Sequence, residues 1–211
     1  MKISISFLKS NYSLDETIKR INDVSYDSYI HVDILDGEYI NVPKTNLDDY
    51  IRVLEGSTKP LDIHLMVNHP ISYINKLIHL KPDIITVHWD CLDNLNEISD
   101  ILKENDIKMG LALNPNDDIY IINDYIEIID LVLVMSVFPG KGGQKFLKTI
   151  PYKLEHLNSI KQLLKKDYLI EVDGGINNST ISYVKEYTDL VVSGSYICCS
   201  NDYEERVKEL L

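Results

Sequence analysis

Eight short apolar runs recur along the chain, and stretches of helical character separate them. Each run is four to six residues long and rich in Ile, Leu and Val, a composition typical of buried parallel strands. The predicted strands cover residues 3–6, 29–33, 61–66, 84–88, 109–113, 131–135, 169–172 and 190–193. Parallel strands need a crossover between them, so the pattern favours a repeating β–α architecture.

The intervening stretches carry helix signals. Ser13 is a predicted N-cap, and Leu14, Ile18 and Ile21 follow it at spacings that place them on one helix face. Similar apolar stripes predict helices over residues 94–103, 151–164 and 203–211. Eight strand–helix repeats without a linker-like segment predict an α/β protein with a single domain, residues 1–211. The expected fold is a (β/α)8 barrel, the TIM-barrel architecture.

An open, doubly wound sheet is the alternative α/β architecture. That fold commonly binds dinucleotides through a glycine-rich turn directly after its first strand. Residues 6–10 of this chain, Ser-Phe-Leu-Lys-Ser, contain no glycine. The first turn therefore favours the closed barrel.

Charge and composition exclude several kinds of partner. The chain carries 33 acidic and 21 basic residues, a formal net charge of -12, whereas nucleic-acid phosphates and anionic membrane surfaces attract clustered Lys and Arg. No apolar run approaches the roughly 18 residues of a membrane span, and the start of the chain lacks a signal-peptide pattern. Three cysteines without a Cys-x-x-Cys pair indicate reduced thiols. We therefore expect a cytoplasmic protein without nucleic-acid or membrane partners; whether it forms a homo-oligomer stays open.

Four polar residues lie in or directly after the apolar runs. His31 and Asp33 lie two residues apart in the second predicted strand, His64 lies in the third, and Asp173 follows the seventh. Side chains alternate along a strand, so His31 and Asp33 point to the same side. Two imidazoles and two carboxylates on neighbouring strand ends predict a site for a divalent metal ion. The carboxylates can also transfer protons, which indicates metal-assisted chemistry on a carbon acid.

Glycine-containing segments follow the last three predicted strands. They contain, in order, Gly140, Gly142 and Gly143, then Gly174 and Gly175, then Gly194 beside Ser195. Glycine lets the backbone approach an anion closely and adopt positive φ. One such segment alone would be interpreted as a turn or a helix cap, but three at consecutive strand ends predict a phosphate site. A local site of this kind lets an acidic protein bind a phosphate.

Six segments agree in order and spacing with a known set of motifs over essentially the whole chain. They cover residues 5–8, 29–37, 62–67, 134–146, 171–175 and 192–195. Together they resemble the motifs of the ribulose-phosphate 3-epimerase family. The resemblance implies a metal-dependent isomerase that interconverts D-ribulose 5-phosphate and D-xylulose 5-phosphate, a step of the pentose phosphate pathway.

The resemblance also implies a role for each candidate residue. One divalent ion (Zn, Fe, Mn or Co) would bind His31, Asp33, His64 and Asp173, with Asp33 as the proton acceptor and Asp173 as the proton donor. The residues expected to contact the sugar phosphate are Ser6, His64, Met66, Met135, Gly140, Lys141, Gly142, Gly143, Gly174, Gly175, Gly194 and Ser195. Elementary chemistry agrees, because epimerisation next to a ketone removes a proton from one face and returns one to the other.

The chain departs from the family pattern at several positions. Lys141 replaces an aromatic residue of the glycine loop, where its side chain either faces the phosphate or extends into solvent. Leu35 replaces a pocket methionine, Glu38 a frequent histidine and Asn41 a proline. None of these changes removes a metal ligand, so they bear on the substrate rather than on the reaction type.

The sequence leaves alternatives to a ribulose 5-phosphate epimerase open. One is a 3-epimerase of a hexulose phosphate such as allulose 6-phosphate, and another is a non-catalytic barrel that binds sugar phosphates. Decarboxylases and synthases with the same barrel use an Asp-x-Lys-x-x-Asp cluster, but residues 62–67 contain no lysine. Among the other histidines, His88 is expected to be structural or to support the site, and His69, His79 and His156 are expected at the surface.

Overall fold

Eight parallel strands close into a barrel in the computed structural model, which describes all residues from Met1 to Leu211. The strands are β1 (Lys2–Ser6), β2 (Ser28–Leu35), β3 (Leu61–Met66), β4 (Ile84–His88), β5 (Lys108–Leu113), β6 (Leu131–Met135), β7 (Leu169–Asp173) and β8 (Leu190–Ser193). Each strand pairs with the next along the chain, and β8 returns to pair with β1. The predicted (β/α)8 barrel is confirmed, and every predicted run lies within one of these strands.

Seven α-helices connect or follow the strands. They are α1 (Leu14–Asp23), α2 (Leu47–Leu54), α3 (Pro70–Leu77), α4 (Leu95–Glu104), α5 (Ile150–Leu164), α6 (Ser195–Cys198) and α7 (Tyr203–Lys208). Ser13 caps α1 as predicted, because its hydroxyl accepts a hydrogen bond from the N–H of Glu16 at 3.3 Å. The last helix ends at Lys208 rather than at residue 211. None of the helices combines the length and the apolar character that crossing a membrane requires.

Two connections depart from the predicted strand–helix repeat. The chain forms only a 3₁₀ helix between β5 and β6, Ile119–Asp124, and a shorter one between β7 and β8, Ile181–Tyr183; a third, Ile78–Leu80, follows α3. The side chains of Asp118 and Asn177 accept hydrogen bonds from backbone N–H groups two residues ahead. Such local bonds compete with an α-helix, as do the β-branched residues of the first segment.

The strands place alternate side chains on the two faces of the barrel wall. Along β2, Ile30, Val32 and Ile34 are fully buried in the large outer core between strands and helices. A separate apolar cluster fills the barrel interior, and it includes Tyr29, Ile84, Leu131, Leu133 and Leu190. Most of these residues lie near the starts of their strands, so they form an apolar base inside the barrel.

Polar side chains occupy the inward positions above this base, toward the carboxyl ends of the strands. The hydroxyl of Ser4 on β1 donates to Asp62 on β3 over 2.6 Å, although β1 and β3 are not neighbours. Side chains on non-adjacent strands meet in this way only inside the barrel. Both residues are fully buried, as are His31 and His64. The barrel therefore encloses a polar upper half over an apolar base.

The apolar base gives a stability prediction. Leu133 is fully buried in the barrel interior, so Leu133→Ala should lower the free energy of unfolding by about 2–5 kcal/mol in urea titrations. Leu163 is 81% exposed on α5, so the matched variant Leu163→Ala should stay within about 0.5 kcal/mol of the unsubstituted protein. Equal losses for the two variants would contradict a packed barrel base.

Candidate active site

Four side chains meet at the carboxyl end of the barrel. His31, Asp33, His64 and Asp173 each offer one ligand atom, and these atoms all lie within 4.8 Å of one another. Strand register explains part of this arrangement, because Asp33 lies directly beside His64 on the neighbouring strand. Oδ1 of Asp33 lies 3.5 Å from Nε2 of His31 and 3.4 Å from Nδ1 of His64. The structure thus brings together the four residues that the sequence indicated as metal ligands.

The two imidazole nitrogens that face Asp33 have no hydrogen-bond partner. Nε2 of His31 and Nδ1 of His64 are both buried and unpaired, which is costly for polar atoms unless a ligand satisfies them. Two imidazole nitrogens beside two carboxylates match the donor set of first-row divalent cations, including Zn, Fe, Mn and Co. The residues present therefore fit the metal ion that the sequence motifs imply.

The second ring nitrogen of each imidazole, on the side away from the cation site, has a polar partner. Nδ1 of His31 lies 2.6 Å from Oδ2 of Asp62, and a carboxylate in this position fixes the ring orientation of a ligating histidine. His64 has a different support, because its Nε2 lies 2.9 Å from Nε2 of His88. One of these two nitrogens must carry the hydrogen. With Nδ1 of His64 directed at the cation site, His64 donates and His88 accepts.

A further carboxyl group lies beside Asp62 in the barrel interior. Glu171 on β7 is fully buried, and its ligand atom lies within 4.8 Å of those of His31 and Asp62. Burial, reinforced by the negative charge of Asp62, raises the pKa of Glu171 well above its usual range. Ionised carboxylates only accept hydrogen bonds. Both carboxyl oxygens of Glu171 and Oδ1 of Asp62 are buried without a hydrogen-bond partner, so a proton on Glu171 removes the repulsion between two neighbouring carboxylates.

The two candidate catalytic carboxyl groups have opposite electrostatic surroundings. Burial alone would raise the pKa of Asp33, but the positive charge of His31 and the contacts with both imidazoles outweigh it and hold that pKa well below its usual range. Burial and then the negative charge of Asp33 raise the pKa of Asp173 to about 6. Two carboxyl groups whose pKa values are displaced in opposite directions within one site can serve as base and acid.

A cavity opens at the mouth of the barrel over these residues. Asp33 and Asp173 line it, whereas His31 and His64 are fully buried. The other residues expected to contact substrate all line the same cavity: Ser6, Met66, Met135, Gly140, Lys141, Gly142, Gly143, Gly174, Gly175, Gly194 and Ser195. Its wall also contains Lys9, which the sequence did not single out.

Backbone conformation at the end of β7 depends on glycine. Gly174 and Gly175 have positive φ, 120° and 66°, and a Cβ on Gly174 would lie only 2.5 Å from a methyl carbon of Val137. The N–H groups of Gly143, Gly175 and Gly194 donate to no acceptor within the protein. Unpaired N–H groups around one cavity are suited to an anion such as phosphate.

Sequence reasoning indicated His88 as a supporting residue but missed three others. Ser4, Asp62 and Glu171 each precede a candidate site residue by two positions on the same strand. Because side chains at positions i and i+2 share a face of a strand, this signal was available. The three remaining histidines are exposed, as the sequence predicted: His69, His79 and His156.

Comparison with known proteins identifies the family. The family model described as ribulose-phosphate 3 epimerase matches residues 2–198. The chain belongs to the ribulose-phosphate 3-epimerase family. The member from Helicobacter pylori is 36% identical over 216 residues, which cover 100% of this chain and 96% of that protein. The member from Bacillus subtilis is 34% identical over 215 residues, with coverage of 100% and 98%. Membership confirms the predicted enzyme class, an isomerase of the epimerase type.

Solved structures outside the epimerase family share the fold. The 3-hexulose-6-phosphate synthase from Salmonella typhimurium superposes with a TM-score of 0.68 at 17% identity, over 100% of this chain and 96% of that one. The tryptophan synthase α-subunit from Pyrococcus furiosus gives a TM-score of 0.70 at 16% identity, over 99% and 96%. At these identities the likeness concerns the barrel alone.

The raised pKa of Glu171 gives a prediction for the metal-free protein. Above the ordinary pKa of 4.5, Glu171 releases its proton in the unfolded chain but keeps it in the folded protein. The free energy of unfolding should therefore fall as the pH rises from about 5 toward the folded-state pKa of Glu171. The expected slope is up to about 1.4 kcal/mol per pH unit. Glu171→Gln carries no such proton. Its stability relative to the unsubstituted protein should therefore increase with pH in urea titrations under chelator.

Glu155→Gln, at an exposed position of α5, is the matched control and should leave the pH dependence unchanged. A stability difference between Glu171→Gln and the unsubstituted protein that stays constant between about pH 5 and about pH 8 would show that Glu171 is ionised in the folded state.

Proposed function

We infer that the chain catalyses the 3-epimerisation of D-ribulose 5-phosphate to D-xylulose 5-phosphate. The observation that carries this proposal is the pair Asp33 and Asp173, which share one buried site while their pKa values are displaced in opposite directions. They project from β2 and β7, strands separated by two others on one side of the ring and by four on the other. A carbon atom between them would meet one carboxyl group on each face. Family membership and the names of the similar proteins support the substrate.

Nε2 of His31, Nδ1 of His64 and the carboxylates of Asp33 and Asp173 are proposed to hold a divalent cation. When bound, such a cation supplies Lewis-acid stabilisation of the negative charge that develops on the substrate oxygens. Asp62 and His88 keep the two imidazole rings in the orientation that directs these nitrogens at the site.

Asp33 is proposed as the base toward ribulose 5-phosphate. Its low pKa keeps it ionised at neutral pH; Oδ1 faces the two imidazoles, while Oδ2 accepts a hydrogen bond from Ser6 at 2.7 Å. Removal of the C3 proton by Asp33 leaves an enediolate, and Asp173 returns a proton to the opposite face of C3. Each group ends in the protonation state from which the other began, so their roles exchange in the reverse direction.

The glycine segments are proposed to fix the phosphate end of the substrate. Backbone N–H groups of Gly143, Gly175 and Gly194 are free to donate to phosphate oxygens, while Met66 and Met135 supply apolar wall near the reacting carbon. A phosphate held at this end places C3 at a constant distance from both carboxyl groups, which lowers the entropic part of the barrier.

Hydrogen exchange tests the proposed reaction directly. Metal-loaded protein incubated with D-ribulose 5-phosphate in heavy water should yield xylulose 5-phosphate that carries deuterium at C3, because the proton returned by Asp173 comes from solvent. Nuclear magnetic resonance gives both the product and the labelled position. Neither product nor label would refute the proposal, and a higher kcat/KM for allulose 6-phosphate would assign the site to a hexulose phosphate instead.

Exchange without inversion separates the roles of the two carboxyl groups. Asp173→Asn should lower kcat by about 10²–10⁴-fold, yet ribulose 5-phosphate should still exchange its C3 proton slowly, because Asp33 can remove and return it. Asp33→Asn should abolish exchange into ribulose 5-phosphate and retain slow exchange into xylulose 5-phosphate.

Either substitution could lower activity by removing a metal ligand rather than an acid or a base. The metal content of the same samples distinguishes these two causes. Full turnover by either variant, or the opposite exchange pattern in metal-loaded samples, would refute the two-acid assignment.

A further inference from the structure

Lys9 follows β1 and directs its side chain along the glycine loop after β6. A Cβ atom placed on Gly142 would lie 3.0 Å from Cβ of Lys9, and one placed on Gly143 would lie 3.0 Å from Nζ of Lys9. The same point on Gly143 lies 3.8 Å from the hydroxyl oxygen of Ser195. The ammonium group is therefore located beside the loop and the start of α6, at the end of the cavity where the glycines converge.

The backbone around Lys9 is anchored to the end of α6. The hydroxyl of Ser10 donates to the carbonyl of Cys198 at 3.1 Å, and the amide of Asn11 donates to the carbonyl of Cys199 at 2.8 Å. The thiol of Cys199 in turn lies 3.7 Å from the carbonyl oxygen of Lys9. These bonds fix the backbone position of Lys9. Anion binding therefore restricts only the side-chain torsions of Lys9.

The ammonium group of Lys9 has no acidic partner. Lys9 takes part in none of the ion pairs of the protein, whereas Lys161 and Lys166 pair with Asp189 at 3.0 Å and Glu127 at 2.6 Å. The only carboxylates that line the cavity are those of Asp33 and Asp173, in the chemical centre. In a chain with a net charge of -12, an unpaired cation beside unpaired N–H groups is a local feature that favours an anion.

We propose that Lys9 binds the phosphoryl group of the substrate and offsets the repulsion that Asp33 and Asp173 exert on it. This inference rests on the proposed function only for the identity of the phosphate ester. Backbone N–H groups supply directed hydrogen bonds but only partial charges, whereas an ammonium supplies a full charge and a charge-assisted bond. Lys9 thus selects a phosphate monoester over the unphosphorylated ketose.

Calorimetric titration with inorganic phosphate at neutral pH tests this role without relying on turnover. Lys9→Met should weaken phosphate binding by about tenfold at low ionic strength, as expected for one partly exposed charge-assisted bond. The difference should shrink in high salt, because screening acts on the lost charge. Lys9→Arg should retain most of the affinity, and Lys76→Met, at an exposed unpaired lysine of α3, should retain all of it.

The outcomes separate this inference from the proposed function. Unchanged phosphate affinity in Lys9→Met overturns the role of Lys9 even if the protein epimerises ribulose 5-phosphate. An equal loss in Lys9→Met and Lys76→Met also overturns it, because the effect would then reflect net charge alone. A loss in Lys141→Met without one in Lys9→Met assigns the cation to the glycine loop instead. A selective loss in Lys9→Met supports the inference even in a protein that does not turn over ribulose 5-phosphate.

Discussion

The ionised groups buried inside the barrel are the constraint on which the rest of the site depends. Moving a carboxylate out of water costs several kcal/mol unless partners compensate it, by an order-of-magnitude estimate. Here the imidazole of His31 lies between Asp33 and Asp62, at 3.5 Å and 2.6 Å. Burial opposes a charge on this ring, but the two carboxylates outweigh it and raise the pKa of His31 well above its usual range. In the metal-free protein, an imidazolium thus supplies the positive charge that the carboxylates require.

This arrangement links the protein interior to the proposed chemistry. A cation bound at Nε2 of His31 replaces a proton there, so metal binding should be coupled to proton release. The positive charge next to Asp33 keeps that carboxyl group ionised, whereas burial and the negative charge of Asp33 leave Asp173 able to carry a proton. In the proposed reaction, the same buried network keeps Asp33 ionised as the base and leaves Asp173 able to act as the acid.

Strand β7 joins the two ends of the site. Asp173, at the chemical centre, is followed directly by Gly174 and Gly175, whose conformation shapes the phosphate end. Since these residues are consecutive, the proposed substrate position has the distance between the reacting carbon and the phosphate set by the backbone of β7. In the proposed mode of binding, Lys9 adds positive charge at the phosphate end of the cavity.

Much of the fold and of the site was predictable from the sequence. The eight apolar runs identify all eight strands, because parallel strands that are buried on both faces consist of nearly continuous apolar sequence. The four candidate metal ligands were predictable as a group, because a polar side chain in or next to a buried apolar strand is costly unless a partner or ligand satisfies it. They are His31, Asp33, His64 and Asp173. Asp62 and Glu171 were available from two-residue alternation but were not recognised. The position of Lys9 depends on how the β1 and β6 loops approach each other in space, and no local pattern encodes that approach.

The most direct test of the buried metal centre is an anomalous difference map from crystals of the zinc-loaded protein, recorded at the metal absorption edge. We expect one peak per chain, in contact with Nε2 of His31, Nδ1 of His64 and the carboxylates of Asp33 and Asp173. Stoichiometric zinc bound elsewhere, for example only at the surface pair His69 and Asp93, with no density among His31, Asp33, His64 and Asp173, would contradict the assignment.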